Sequence, residues 1–304
     1  MLHEMPLVIF TIAAQMSAGS FIVLGLIHLF GAKAPQAVMD RVTDPALYAI
    51  GPLLVLGLAA STFHLGSPMR AANALRHIGT SWLSMEILAG LLFAALGFLF
   101  AAMQWFKWGS HRLRQVLAML TAAVGIFLVF CISKVYSLRT VPAWATWHTP
   151  VRFFITTFLL GGLAVAAALV IAAYVRRSRG NEYTDEEGSL LLNSVRGIAL
   201  GSLLAAGLKF ITMPAYLGYL GSHENSAAQR SLTALTDTYG GWQMTQSVLL
   251  FAGVATLGVL LFRAASDRGR KVLPLLAVTA FVLVLAAEFI GRMLFYASMV
   301  RTGL

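Results

Sequence analysis

Long apolar runs alternate along the sequence with short breaks rich in Lys, Arg, Pro and Gly. The runs fall at Pro6–Phe30, Pro45–Phe63, Ser81–Met103, Gln115–Ser133, Val151–Tyr174, Val195–Met213, Trp242–Phe262 and Val272–Met299. A hydrocarbon layer ~30 Å thick needs roughly 20 apolar residues in a helix rising ~1.5 Å per residue, so each run is long enough to cross a bilayer. The pattern predicts an all-α fold, a polytopic integral membrane bundle of eight transmembrane helices. The stretch after Met213, with Pro214, Gly218 and Gly221, fits either a longer sixth helix or an interfacial turn. No break is long enough for a water-soluble lobe, so residues 1–304 read as a single membrane domain, without a convincing repeat between its halves. Met1–Met5 carries no Lys or Arg and no small-residue cleavage site follows it, so the first run reads as a retained helix.

Composition agrees with this picture. At 59% hydrophobic and 11% charged residues, the protein cannot cover a globular surface with polar groups. The net charge of +10 would suggest nucleic acid in a soluble protein, but here the distribution of Lys and Arg among the loops carries the information. Thirteen of them, from Lys33 to Lys271, lie in the loops after the first, third, fifth and seventh runs, against seven on the other side, from Arg70 to Arg301. The positive-inside rule therefore puts the odd loops in the cytoplasm and both termini outside. The lone cysteine, Cys131, lies inside an apolar run and reads as core packing, which excludes an internal disulfide or a Cys-ligated cluster held by this protein alone. His64, His77, His148 and His223 map to the outer side, and His28 and His111 to the cytoplasmic side. No two imidazoles stand as opposed ligands within the spans, and the expectation is no haem and no bound metal.

Ionisable groups inside spans are expensive and mark either internal pairing or function. There are four, Glu86, Lys209, Glu288 and Arg292. Glu288 and Arg292 stand i, i+4 on one helix face, which reads as a self-neutralising structural pair. Lys209 reads as a snorkelling side chain or the partner of a carboxylate. Glu86 has no charge partner within a turn or two, sits roughly 8 Å below the outer end of the third span, and is the best candidate for proton exchange. His64, at the outer end of the second span beside Gly66, Ser67, Pro68 and Arg70, is either a helix-end imidazole or a second proton acceptor at similar depth. A carboxyl and an imidazole under a Gly/Pro loop suit a substrate that enters from lipid and sheds protons to water, as a quinol does. A proton-coupled transporter would also place a carboxylate there, and a purely structural anchor would use its charges only to hold the bundle.

HEMPLVIFT at His3–Thr11, HLGSPMRAANAL at His64–Leu75, S-x-E-I at Ser84–Ile87, TVPAWATWHTP at Thr140–Pro150 and E-F-I-G-R-x-x-x-Y ending at Tyr296 are the most distinctive segments. With them the sequence resembles the membrane-anchor subunits of bacterial dimethyl sulfoxide reductases. The resemblance implies an eight-helix anchor in the bacterial inner membrane, with both termini outside and no haem. It implies a subunit that oxidises menaquinol in anaerobic respiration and passes the electrons to an iron–sulfur subunit with four [4Fe–4S] clusters, and thence to a molybdopterin catalytic subunit. The quinol-site histidine and glutamate of such anchors match His64 and Glu86, and the neighbouring glycine and arginine match Gly66 and Arg70. An anchor of a related molybdopterin reductase, for selenate or another S- or N-oxide, would carry the same chemistry. The segment Arg176–Ser194 lies outside these motifs and reads as a solvated cytoplasmic loop.

Overall fold

The computed structural model describes residues 4–64, 75–264 and 272–303; of residues 49, 58, 60–64 and 75 it describes the backbone only. The described residues are helical throughout, with short connections and no strand. In sequence order the helices are α1 (Met5–Phe30), α2 (Gln36–Thr43), α3 (Ala46–His64), α4 (Trp82–Trp105), α5 (His111–Tyr136), α6 (His148–Ser178), α7 (Asp185–Ser222), α8 (Ser226–Thr233), α9 (Gly240–Ala264) and α10 (Leu273–Ala297). Among the described residues seven helices, α1, α4, α5, α6, α7, α9 and α10, are long and apolar enough to cross a membrane. The 19-residue α3, with Pro52 in its interior, occupies the place of the second apolar run.

The bundle is built around α1, which packs against α3, α5, α6 and α10. Every residue from Thr11 to Gly25 is buried. A helix enclosed on all sides needs small side chains where its neighbours approach, because van der Waals contact and interhelical hydrogen bonds, not hydrophobicity, join helices in lipid. The tightest approach is to α6. A Cβ added to Gly19 would overlap the Thr157 carbonyl oxygen, and one added to Gly161 would overlap the backbone of Gly19. Ser20 donates at this crossing to the Gly161 carbonyl (3.3 Å), and the Gln15 amide donates to the Phe153 carbonyl (2.8 Å).

The segment expected as a solvated loop, Arg176–Ser194, is mostly helix: α6 runs on to Ser178 and α7 begins at Asp185. The reason is local. Thr184 and Glu187 form a reciprocal capping box that satisfies the first N–H groups of α7, and Glu187 is also held by Arg41 of α2 at 3.1 Å. At its other end α7 continues through Pro214 to Ser222, so the sixth run extends as one helix of 38 residues. At ~1.5 Å per residue that is roughly 57 Å, well beyond the hydrocarbon thickness.

Two short helices seal the ends. The amphipathic α2 buries Met39 and Val42 and is tied down through Asp40, which accepts from the Gln104 amide (2.9 Å) and the Arg114 guanidinium (3.2 Å). Lys107 bridges to Asp44 at 2.7 Å. At the opposite end α8 and a π turn, Ala234–Thr238, lie across the tops of α7 and α10, with Ser231 donating to the Ser298 carbonyl (2.8 Å).

Candidate functional site

Glu86 lies one turn into α4, half-buried on a helix that is otherwise almost entirely apolar. Among the described residues it has neither a hydrogen-bond partner nor an ion pair. Its carboxyl is within electrostatic reach of Cys131 and Tyr136 on α5 and of Tyr296 on α10. Tyr136 is the hub of an aromatic cluster, 5.5 Å from the Tyr296 ring, 5.7 Å from Trp144 and 5.7 Å from Phe153 between centroids. The TVPAWATWHTP segment supplies Trp144, which stacks on Phe295 at 4.8 Å and donates its indole N–H to the Phe295 carbonyl (2.9 Å). That segment is therefore a plug bolted to α10, and Tyr216 fastens it to α7 by donating to the Ala143 carbonyl (3.0 Å).

The backbone of His64 ends α3, but its side chain lies outside the described residues, as do Gly66 and Arg70 entirely. Cys131 is free and buried, as core packing requires.

Glu288 and Arg292, expected as a mutual pair, take different partners. Glu288 is bonded to Lys209 of α7 (2.5 Å) and accepts from the Thr156 hydroxyl of α6 (2.7 Å). Arg292, one turn further along α10, donates to the Gln15 side-chain oxygen of α1 (2.5 Å) and lies 3.8 Å over the Phe153 ring. The i, i+4 spacing does place both on one face, but two other helices offer each group a closer partner. Three cations, Arg152, Lys209 and Arg292, thus stand around one carboxylate. Two small cavities adjoin them: one of about 20 Å³ beside Arg152 and Lys209, with room for one water, and one of about 10 Å³ bordered by all four groups. Gln15 and Thr156 did not stand out in the sequence because each is an uncharged polar residue within an apolar run. Both are buried, and polar residues at such positions are the signal that was available.

Next to this network Gln246 of α9 is 1% exposed, and neither atom of its amide has a partner among the described residues; it packs on Gly291. At the other end of the bundle the rings of His28 and His111 lie 6.3 Å apart, with both nitrogens of buried His28 unpartnered among the described residues. No group of three or more His, Cys, Asp or Glu gathers to hold a metal among the described residues.

Apolar helices of spanning length, joined through buried ion pairs and small-residue crossings, define a multi-pass α-helical membrane protein. Residues 1–298 match the family model described as DMSO reductase anchor subunit (DmsC). The sequence is 34% identical over 307 residues to the C subunit of the anaerobic dimethyl sulfoxide reductase of Escherichia coli (strain K12), covering 99% of this protein and 97% of that one. It is also 34% identical to the anaerobic dimethyl sulfoxide reductase subunit YnfH of the same organism, with the same coverage. To the C subunit of the Haemophilus influenzae enzyme it is 29% identical over 303 residues, covering 100% and 97%. The protein belongs to the DMSO reductase anchor subunit family, and it is a membrane-anchor subunit of a multisubunit oxidoreductase of that type.

Proposed function

We propose that this anchor oxidises menaquinol at a site formed by His64 and Glu86, with Gly66 and Arg70 beside them. Electrons pass directly to a four-cluster iron–sulfur subunit and from there to a molybdopterin catalytic subunit. The observation that carries the reading is the half-buried Glu86 carboxyl, which no described residue engages although it sits in an apolar helix. A structural carboxylate in such a place is normally neutralised, as Glu288 is by Lys209. Glu86 is left for a ligand or for the neighbouring segment that carries His64.

Oxidation of one quinol releases two electrons and two protons. The carboxylate and a neutral imidazole each accept one hydroxyl proton as the electrons leave, which general-base groups titrating near neutrality do best. In this reading the anchor holds no haem, and its redox partners are the clusters of the adjoining subunit. It spans the bacterial inner membrane eight times, α3 being the second crossing, with both termini outside; the lysine and arginine asymmetry supports that orientation. The terminal acceptor is dimethyl sulfoxide or a related S- or N-oxide, a choice made by the catalytic subunit.

Glu86→Gln keeps the volume of the side chain but removes its proton acceptor. The complex should assemble with quinol-driven reduction falling by roughly 10²-fold or more, the usual contribution of a general base. His64→Ala should behave in the same way. Reduction driven by a dye that donates directly to the catalytic partner should stay near wild type. Parallel loss of both activities, or loss of the complex from the membrane, would show the two residues to be structural.

A further inference from the structure

Beside the turn that joins α6 to α7, residues of both helices line an open cleft of about 800 Å³. Its deeper walls are apolar, with Val170 and Ala173 on α6, Leu191 and Val195 on α7, and Leu273 at the start of α10. Its rim is charged: Arg177 and Glu182 form an ion pair at 3.3 Å, and Asp185 lies at the first turn of α7. Arg196 donates one N–H to the Ala264 carbonyl (2.6 Å), and its other N–H groups have no partner among the described residues. Tyr183 also lines the cleft. The Arg176 guanidinium lies 5.2 Å over its ring, and its hydroxyl is buried with no partner among the described residues.

We propose that this cleft binds one phospholipid with a zwitterionic headgroup, a phosphate joined to a primary ammonium. Each part of such a lipid meets its complement. Arg177 donates to the phosphate, Glu182 and Asp185 accept from the ammonium, and the N–H groups of Arg196 that have no partner among the described residues reach the ester oxygens. The first acyl carbons lie along Val170, Leu191 and Val195, and the remainder of each tail extends into the bilayer. Two arginines against two carboxylates give a lining with no net charge, so an anionic headgroup would bring its phosphate to the arginines but leave Glu182 and Asp185 opposed. A trimethylated ammonium would fill the same space without N–H groups for the carboxylates. Ligand pockets of about 300–1,000 Å³ enclose molecules of drug size, which suits a headgroup with its glycerol and upper acyl carbons.

The test uses the full-length anchor in its assembled complex. It is reconstituted into vesicles with three photoreactive lipids identical in their acyl tails, bearing phosphoethanolamine, phosphocholine or phosphoglycerol, and labelled peptides are mapped by mass spectrometry. The phosphoethanolamine probe should label the 170–196 region about tenfold more than either other probe, the difference one charge-assisted hydrogen bond makes. Arg177→Gln with Arg196→Gln should abolish that preference. Equal labelling by all three probes, preference for phosphoglycerol, or absence of lipid from 170–196 because the protein's own residues 265–271 fill the cleft would each overturn the proposal. Should the double variant fail to assemble, the comparison of probes on the wild-type complex decides alone.

Discussion

Replacing Glu288 with Leu removes the carboxylate that, alone among the described residues, stands among Arg152, Lys209 and Arg292. In the native bundle its two oxygens take Lys209 at 2.5 Å and the Thr156 hydroxyl at 2.7 Å, and both ends of the ion pair are buried, with side chains 7% and 2% exposed. Breaking a buried pair from one side costs roughly 3–5 kcal/mol, because the remaining charge keeps its desolvation penalty and loses its partner. Lys209→Met should cost a similar amount, since it leaves Glu288 hydrogen-bonded only to the threonine hydroxyl among the described residues, with Arg152 and Arg292 further off. The double variant tells more than either single one. With both charges replaced by apolar groups of similar volume, the penalty and the attraction disappear together, so stability should return to within about 1–2 kcal/mol of wild type. The assay is equilibrium unfolding of the purified anchor in mixed micelles as sodium dodecyl sulfate is raised, comparing the four members of the cycle. Additive losses, roughly 6–10 kcal/mol in the double variant, would refute the reasoning: they would mean that the two groups act independently and that the contact between α7 and α10 contributes nothing as an ion pair.

Gly161→Ala should destabilise the same unfolding transition by at least about 1–3 kcal/mol, since the new methyl meets the backbone of Gly19 and not a side chain that can turn away; an unchanged midpoint would contradict the crossing described. Asp40 has its carboxyl held below its ordinary value of 3.8: burial alone would raise it, but the Gln104 hydrogen bond and the charges of Lys107 and Arg114 outweigh that. The stabilisation is present above the unfolded-state value and fades as the pH falls through the lower folded one. Asp40→Asn should therefore flatten the acid limb of a stability–pH profile and leave its slope near neutrality alone. Reporter fusions after Arg179 should read as cytoplasmic and fusions at the C-terminus as external, and the reverse pattern would move Glu86 to the inner half of the membrane.

The positions of the long helices were legible because lipid leaves no other way to satisfy a backbone, so an apolar run of sufficient length has to be a helix. Their ends were less so. The capping box at Thr184 and Glu187 sits in a polar stretch that hydropathy reads as loop, and α2 and α8 are too short and too polar to register as spans. Pairing between helices was legible only in part: Lys209 could be read as the partner of a carboxylate, but not of which one. Lys209 and Glu288 are 79 residues apart, and a rule about spacing on one helix can offer Glu288 only neighbours such as Arg292. Nor did hydropathy single out α1 as the enclosed helix, since every span is apolar all round; its run of small and hydroxylated residues, Ser17 to Ser20, was the usable hint. At the candidate site, Glu86 stood out as an ionisable residue in a span and His64 as part of a recognisable segment, whereas the aromatic cluster that Glu86 faces depends on three helices and a plug meeting in space.

The enclosure of α1 also sets an order of events at the ribosome. α1 is made well before its closest neighbour, which arrives only when Gly161 emerges, 141 residues after Ser20. At about 5–20 residues per second, that is a wait of roughly 7–30 s. During it the serines and glutamine of α1 face lipid or a helper protein, with the main-chain acceptors of α6 not yet made. Nascent polypeptides arrested before residue 161 should remain crosslinked through positions 15 and 20 to the insertion machinery, and those arrested after α6 has entered should be released.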